Sequence, residues 1–285
     1  MRGNILLMLA AFLWGTTFVA QMTGMDELGP FSYAAARYFL GLLSLIAVYF
    51  LFQKSRDAAK AKGEYRPGWR AGLCAGVIMF FGSSLQQVAL QYTTAGKTSF
   101  ITCLYIILVP LAATVFGRRI TLQNWIGAVL AVSGLYFLAV KGDFTLGYGD
   151  LLVLIGAFFW TAHILYIDHF AALVDPIELS LAQIGLVCVV SFAAALMLET
   201  ATPTQFVNSG VAIAYGGIMS AGVAFTLQII GQRYTKPSHA AIIMSFEAIF
   251  GALSGWLLLG ESMSAREIGG CLLMVTGMII TQVKL

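Results

Sequence analysis

Glu247 stands inside the long apolar run of HAAIIMSFEAIFGALSGWLLLGE, far from the acid Glu261 that ends it. A carboxyl so placed serves as counter-charge to a cation, as a proton-binding site, or as a neutral acid bonding a neighbouring helix. Arg37, in AAARYFLGLL, supplies a permanent cation. It can hold a substrate carboxylate, pair with an acid, or reach outward to water. Trp14, Tyr105 and Trp160 together with Glu247 would make a cation–π box for an amine or a quaternary ammonium ion, at about 0.5–2 kcal/mol per ring. The same rings would stack on an aromatic amino acid, and large aromatics also fill helix-bundle cores. Gln86 and Gln228 either orient a substrate or bond across helices for about 0.6 kcal/mol. His163 lies one turn beyond Trp160 on much the same face, as a proton relay or as a satisfied interior histidine. Asp168 and His169 fall at the end of an apolar segment and are read as solvated. No HxxxH or HExxH spacing joins the histidines, and Cys74, Cys103, Cys188 and Cys271 sit singly in four segments. No metal, cofactor or disulfide framework is expected, and the cysteines read as small packing residues.

The elements that carry these residues must live in lipid. Of the 285 residues, 59% are hydrophobic and 10% charged, with a mean hydropathy of +0.87. Ten apolar segments are expected, near 4–22, 32–52, 71–90, 98–116, 122–140, 150–168, 178–198, 210–230, 239–259 and 267–283. Each approaches the roughly 20 residues that cross hydrocarbon as a helix, and only helices or closed barrels satisfy their backbone there. Glu247 falls about eight residues into the ninth, roughly 12 Å along its axis and near the bilayer centre. Arg37 lies about a turn and a half inside the second, so the two can pair only by bridging a difference in depth.

Basic residues set the orientation. With the N-terminus inside, Arg2, Lys54, Arg56, Lys60, Lys62, Arg66, Arg70, Arg118, Arg119, Arg233, Lys236 and Lys284 are cytoplasmic. Lys97, Lys141 and Arg266 are external. That bias places both termini in the cytoplasm. The basic stretch 53–70 is read as a solvated loop, with binding of a partner or of anionic lipid as the alternative. The first apolar run continues to about Ala20 and has a copy at Leu152–Tyr166, so it reads as a permanent helix rather than a cleaved leader.

The chain repeats itself. LLMLAAFLW, ending at Trp14, matches LVLIGAFFW, ending at Trp160. Leu85-Gln86 and Tyr92-Thr93 recur 142 positions later as Leu227-Gln228 and Tyr234-Thr235, and the same offset pairs Tyr105 with Glu247. Gly127 and Gly134 recur as Gly270 and Gly277, one residue further on. The expected organisation is a five-helix repeat over 1–141, a linker at 142–146 and a second repeat over 147–285. Five spans per repeat put the second copy upside down, giving an all-α integral membrane protein of ten helices in two inverted repeats. The GxxxG pairs Gly72/Gly76 and Gly251/Gly255 allow close helix approach. Pro110 is expected to interrupt and kink the fourth span; its counterpart is Ala252, so the two halves should not move alike.

LLMLAAFLWGTTFV, AAARYFLGLL, TTAGKTSFITCLYIILVPLAA and the stretch around Glu247 followed by GGCLLMVTGMII carry a resemblance over almost the whole chain. It resembles the drug/metabolite transporter superfamily, in its form with two EamA-type repeats. The resemblance implies a central cavity lined by spans one, three, four, six, eight and nine, with each repeat's last helix peripheral and available for oligomerisation. Gly117-Arg118 departs from Gly260-Glu261 of the second half; the charge rule accounts for the change, so no binding role is carried to Arg118 or Glu261.

The function expected is secondary transport by alternating access in the inner (plasma) membrane. The substrate would be a cationic or aromatic small metabolite: an amine, a quaternary ammonium compound or an amino acid. Proton coupling through Glu247 is one mode; exchange and facilitated diffusion are others. No GxxxxGK[ST] motif supplies ATP, no nucleic-acid partner is expected, and a monomer and a homodimer both fit. The rival readings are a flippase for a lipid or lipid-linked metabolite and an intramembrane enzyme, the latter with Glu247 and His163 as its only tempting pair.

Overall fold

The computed structural model describes residues 2–93, 95–115, 117–118, 120–140, 147–259 and 264–282. The expected linker 142–146 and Arg119, Lys141, Gly260, Glu261 and Lys284 lie outside the described residues. Among the described residues there is no strand. The helices are α1 (Arg2–Met25), α2 (Pro30–Leu51), α3 (Gln53–Ala61), α4 (Trp69–Ala89), α5 (Ala95–Thr102), α6 (Tyr105–Val115), α7 (Leu122–Ala139) and α8 (Tyr148–Phe170). They continue as α9 (Pro176–Leu198), α10 (Pro203–Asn208), α11 (Gly210–Ala214), a π-helical stretch (Tyr215–Ala224), α12 (Phe225–Gln232), α13 (Pro237–Met244), α14 (Glu247–Leu259) and α15 (Ala265–Gln282).

Among the described residues seven helical segments are long and apolar enough to cross a membrane: α1, α2, α4, Thr98–Val115, α8, α9 and Gly210–Gln232. A shorter apolar helix covers Leu122–Leu138. The other two expected spans are the pair α13–α14 and α15, which carries Arg266 and Glu267 in its first turn. Phe39, Leu43, Phe50, Leu196 and Leu272 point outward, whereas His163, Ser180, Gln183 and Ser191 are fully buried. Apolar side chains outside and polar ones inside suit a lipid solvent. This is a multi-pass membrane protein.

Caps explain where helices begin. Pro30 and Pro176 occupy first helical positions, where their missing N–H costs nothing. The Glu199 carboxylate accepts from the N–H groups of Phe31 and Ser32 at 2.9 and 2.8 Å, and Asp175 accepts from Ile177 and Glu178 at 3.0 and 2.9 Å. Ties between loops sort into two groups. On one side Asp175 N–H reaches the Arg66 carbonyl at 2.8 Å, Gly68 N–H and the Tyr65 phenol reach Glu178, and Arg118 pairs with Asp168 at 2.6 Å. Burial and the bond to Glu178 push the Tyr65 phenol above its ordinary range. On the other side Glu199 meets α2, and the Thr93 hydroxyl donates to Asp150 at 2.5 Å. Every one of these ties joins segments that the charge count put on the same side. Asp168, read as solvated, is therefore paired. The stretch 53–70 is more ordered than a solvated loop, because α3 forms there and Arg56 folds over the Tyr49 ring, 3.5 Å from its centre.

Two helices break at equivalent places. The fourth segment breaks at Cys103–Leu104, where Leu104 and Ile106 N–H groups bond three residues back to Ile101 and Cys103 at 3.2 and 2.9 Å. The ninth breaks at Ser245–Phe246, where Phe246 and Ala248 bond three residues back to Ile243 and Ser245 at 3.2 and 3.1 Å. The offset is again 142. Pro110, expected to interrupt the fourth segment, instead lies inside the continuous α6. The break is shared by a half that has alanine at the matching position, so proline is not its cause.

Small residues set the crossings. A methyl group built on Gly134 would lie 2.4 Å from the Gly270 carbonyl, and one on Gly270 2.5 Å from the Gly134 carbonyl. Gly127 and Gly277 face each other in the same way at 2.7 and 2.6 Å. The matched glycines of α7 and α15 are therefore used up by contact within the chain. Gly72 and Gly76 fit α4 against α9, and Gly15 fits α1 against the backbone of Glu247. The surroundings of Gly255 lie outside what the structure describes.

Gly134→Ala and Gly270→Ala are each expected to lower stability by about 1–3 kcal/mol, because backbone cannot step aside for the new methyl. Gly269→Ala, on the same helix with nothing within 4 Å, should be neutral or stabilising. Thermal unfolding of the three variants in one detergent checks the contrast.

Candidate functional site

The crossings enclose a central cavity of about 650 Å³, counting the space at its open mouth. Helices α1, α4, α5–α6, α8, α12 and α13–α14 line it, which are the spans the resemblance implied, and α2 joins them with Arg37 and Tyr38. Of the residues singled out from the sequence, Trp14, Arg37, Gln86, Tyr105, Trp160, Gln228 and Glu247 all face this space.

Glu247 and Tyr105 are each the first residue after a helix break. These repeat-related residues meet: the Tyr105 hydroxyl donates to Glu247 Oε1 at 3.3 Å. The Cys103 thiol donates to the same oxygen at 3.5 Å. Glu247 is 8% exposed, and Gly15 lets α1 close on its backbone, bringing Trp14 to the same cavity. Cys103, read as a packing residue, is thus a partner of the buried acid. The signal was available, since Cys103 is the repeat counterpart of Ser245 and both occupy the breaks.

The wall of rings has a centre that the sequence reading missed. Phe225 stacks on Trp160 with centroids 6.2 Å apart and planes at 15°, and meets Trp14 at 5.0 Å. It sits one turn before Gln228 and is the repeat counterpart of Ser83, which also lines the cavity. The Trp160 indole lies against Gly82 and donates to Gln86 Oε1 at 3.0 Å. Gln228 Oε1, Trp14 Nε1 and Thr102 Oγ1 are buried without a protein hydrogen-bond partner. The three residues they belong to line the cavity. His163 does not reach this space: it stands edge-on behind Trp160 and Phe225, with Nε2 3.1 Å from Gln183 Oε1. Among the described residues no group of three His, Cys, Asp or Glu is arranged to hold a metal ion.

Most of the lining is repeat-symmetric. The offset of 146 pairs Trp14 with Trp160 and Phe18 with Ile164. The offset of 142 pairs Ser83 with Phe225, Gln86 with Gln228, Thr102 with Met244 and Tyr105 with Glu247. Gln21, Arg37, Tyr38 and Ser220 have no counterpart in the lining. The cavity therefore combines a twofold frame with one asymmetric patch, and that patch holds its cation.

Comparison with known proteins gives the same outline. The profile of the EamA-like transporter family matches residues 1–140 and again residues 147–282. A protein of Archaeoglobus fulgidus named as an uncharacterized transporter is 31% identical over 288 residues, covering 98% of this chain and 85% of its own. The uncharacterized transporter YoaV of Bacillus subtilis is 22% identical over 279 residues, covering 94% and 92%. A solved crystal structure superimposes with a TM-score of 0.79 at 19% identity, over 98% of this chain and 96% of its own, a likeness of fold.

Gln86→Leu is expected to strand the Trp160 indole N–H and lower stability by about 1–3 kcal/mol. Gln228→Leu removes a carbonyl that has no protein partner and should cost less. Thermal unfolding of the pair in detergent reads the difference.

Proposed function

The chain belongs to the EamA-like transporter family of the drug/metabolite transporter superfamily, and from that premise we propose that it is a secondary transporter working by alternating access. In this reading ten helices span the inner (plasma) membrane as two inverted five-helix repeats, 1–141 and 147–285, with both termini cytoplasmic. Twelve of the 16 Lys and Arg residues then lie inside, in keeping with the positive-inside rule. The solute is a small metabolite: an amine, a quaternary ammonium compound or an amino acid.

The observation that carries the proposal is the meeting of Tyr105 and Glu247. Broken helices at mid-membrane are tolerated only where they are buried in protein or line a water-filled space. Here both breaks adjoin one cavity, and each delivers its first side chain to it. Breaks of this kind give each half a joint on which to rock, exposing the shared site to the two faces in turn. Trp14, Trp160 and Phe225 hold the body of the solute, and Gln86 and Gln228 orient it. Glu247 is the coupling group: an incoming amine replaces the Tyr105 and Cys103 donors at the carboxylate, so solute and proton compete for one acid. His163 supports the ring wall from behind.

The test is transport into liposomes holding purified protein, measured as evoked current on a solid-supported membrane and as labelled-solute flux, with a panel of amines, quaternary ammonium compounds and amino acids. A pH gradient is expected to drive accumulation of a panel member by the native protein. Glu247→Gln, which removes both the proton site and the amine's counter-charge, should lose at least about tenfold of the gradient-driven uptake, the equivalent of about 1.4 kcal/mol. Uptake by Glu247→Gln that follows the gradient like the native protein would remove the coupling role, and no flux of any panel member would remove the transporter reading.

A further inference from the structure

Resting on that transporter reading, we infer that Arg37 is an anion-binding site of the cavity and that the solute carries a carboxylate, together with an amine directed to Glu247. Arg37 is 6% exposed and lines the cavity. A guanidinium presents five N–H donors and stays charged. Its terminal nitrogen donates to the Tyr38 hydroxyl at 3.0 Å, and the side chain lies over the Tyr38 and Tyr33 rings at 4.6 and 5.7 Å from their centres. Nε has no hydrogen-bond partner, and among the described residues no carboxylate lies within 4.0 Å of the group. Ring faces offset only part of the cost of a buried cation. A planar carboxylate in the cavity would supply the missing acceptors in the two-pronged geometry that arginine favours.

The second half makes the matching crossing without a charge. The offset of 146 that pairs Trp14 with Trp160 pairs Arg37 with Gln183. Both sit at the same kind of crossing: Gly217 of the π-helical stretch fits against the Arg37 carbonyl, and Gly76 of α4 fits against the Gln183 carbonyl. The second half makes its crossing with a neutral side chain that turns away to bond His163 at 3.1 Å. The first half places a cation at the corresponding point, in the lining of the cavity. Its crossing partner is the π-helical stretch, a local distortion often found at functional sites.

Charge balance then separates the solute classes. Among the described residues Arg37 and Glu247 are the cation and the acid of the lining, and no ion pair joins them. A simple amine or a quaternary ammonium ion would answer Glu247 and leave Arg37 bare beside a second cation. A solute with both groups answers each, and its apolar body meets the wall of Trp14, Phe225 and Trp160.

The test is isothermal titration of the purified full chain with two matched series. One is L-phenylalanine, phenethylamine and 3-phenylpropionate; the other is L-leucine, isoamylamine and 4-methylpentanoate. The native protein is expected to bind at least one amino acid about tenfold or more tightly than the matching amine. Arg37→Gln, which installs the residue the second half uses, should lose that preference while retaining the amine, and Arg37→Lys should fall between. Retained amine binding reports an intact cavity. Equal binding of amino acid and amine by the native protein, an unchanged preference in Arg37→Gln, or no binding by either amino acid overturns the inference. Flux of the same labelled amino acids separates the two proposals. Carboxylate-dependent binding without flux would defeat the transporter reading alone, and flux indifferent to Arg37→Gln would defeat the anion site alone.

Discussion

A backbone N–H or carbonyl inside hydrocarbon has no water to bond, so a helix may break there only where protein or a wetted cavity receives the freed groups. The rest of the structure is arranged around two such breaks, at Cys103–Leu104 and Ser245–Phe246. Both helices are therefore drawn to the centre, Thr98–Val115 being more buried than any other segment of membrane length. The outer segments close around them through glycine contacts: α1 on α14 at Gly15, α4 on α9 at Gly72 and Gly76, α7 on α15 at Gly134 and Gly270. With no water-driven force between helices in lipid, such close approach is what holds them together.

The cavity at the breaks is a symmetric frame with asymmetric chemistry. Trp14 and Trp160 flank Phe225, and Gln86 and Gln228 sit at matched positions. What differs is charge. Tyr105 faces Glu247 across the pair of breaks, and Arg37 faces the cavity where its counterpart Gln183 does not. The frame thus holds one acid and one guanidinium fixed to particular helices.

Much of this arrangement was legible in the residues. The register of the repeat identified Trp14 with Trp160 and Tyr105 with Glu247, because large polar-tipped rings and a lone acid stand out in apolar runs. Other features were hidden for physical reasons. Phe225 looks like any apolar side chain, since nothing in its type marks a ring wedged between two indoles. Cys103 read as packing because a single cysteine has no spacing to betray it, although its match with Ser245 carried the information. Pro110 drew attention as a helix breaker, while the break nearly two turns earlier follows the repeat and not the proline. His163 shares a face with Trp160, yet the ring wall stands between it and the cavity. The part played by α2 depended on a π-helical distortion in its neighbour that no residue spacing announces.

The measurement that bears most directly on the account is an exchange of the two repeat-related side chains, read as pH-gradient-driven uptake of labelled amino acid into liposomes. Glu247→Tyr alone removes the acid from the cavity and should abolish gradient-driven uptake. Adding Tyr105→Glu restores one acid and one phenol, now on opposite helices but still facing each other at the paired breaks. If the two breaks form one shared site, the double variant recovers a substantial part of the uptake lost in the single variant. A double variant as inactive as Glu247→Tyr, though folded and equally abundant in the liposomes, would contradict the claim that the repeats meet as equivalent halves of one site.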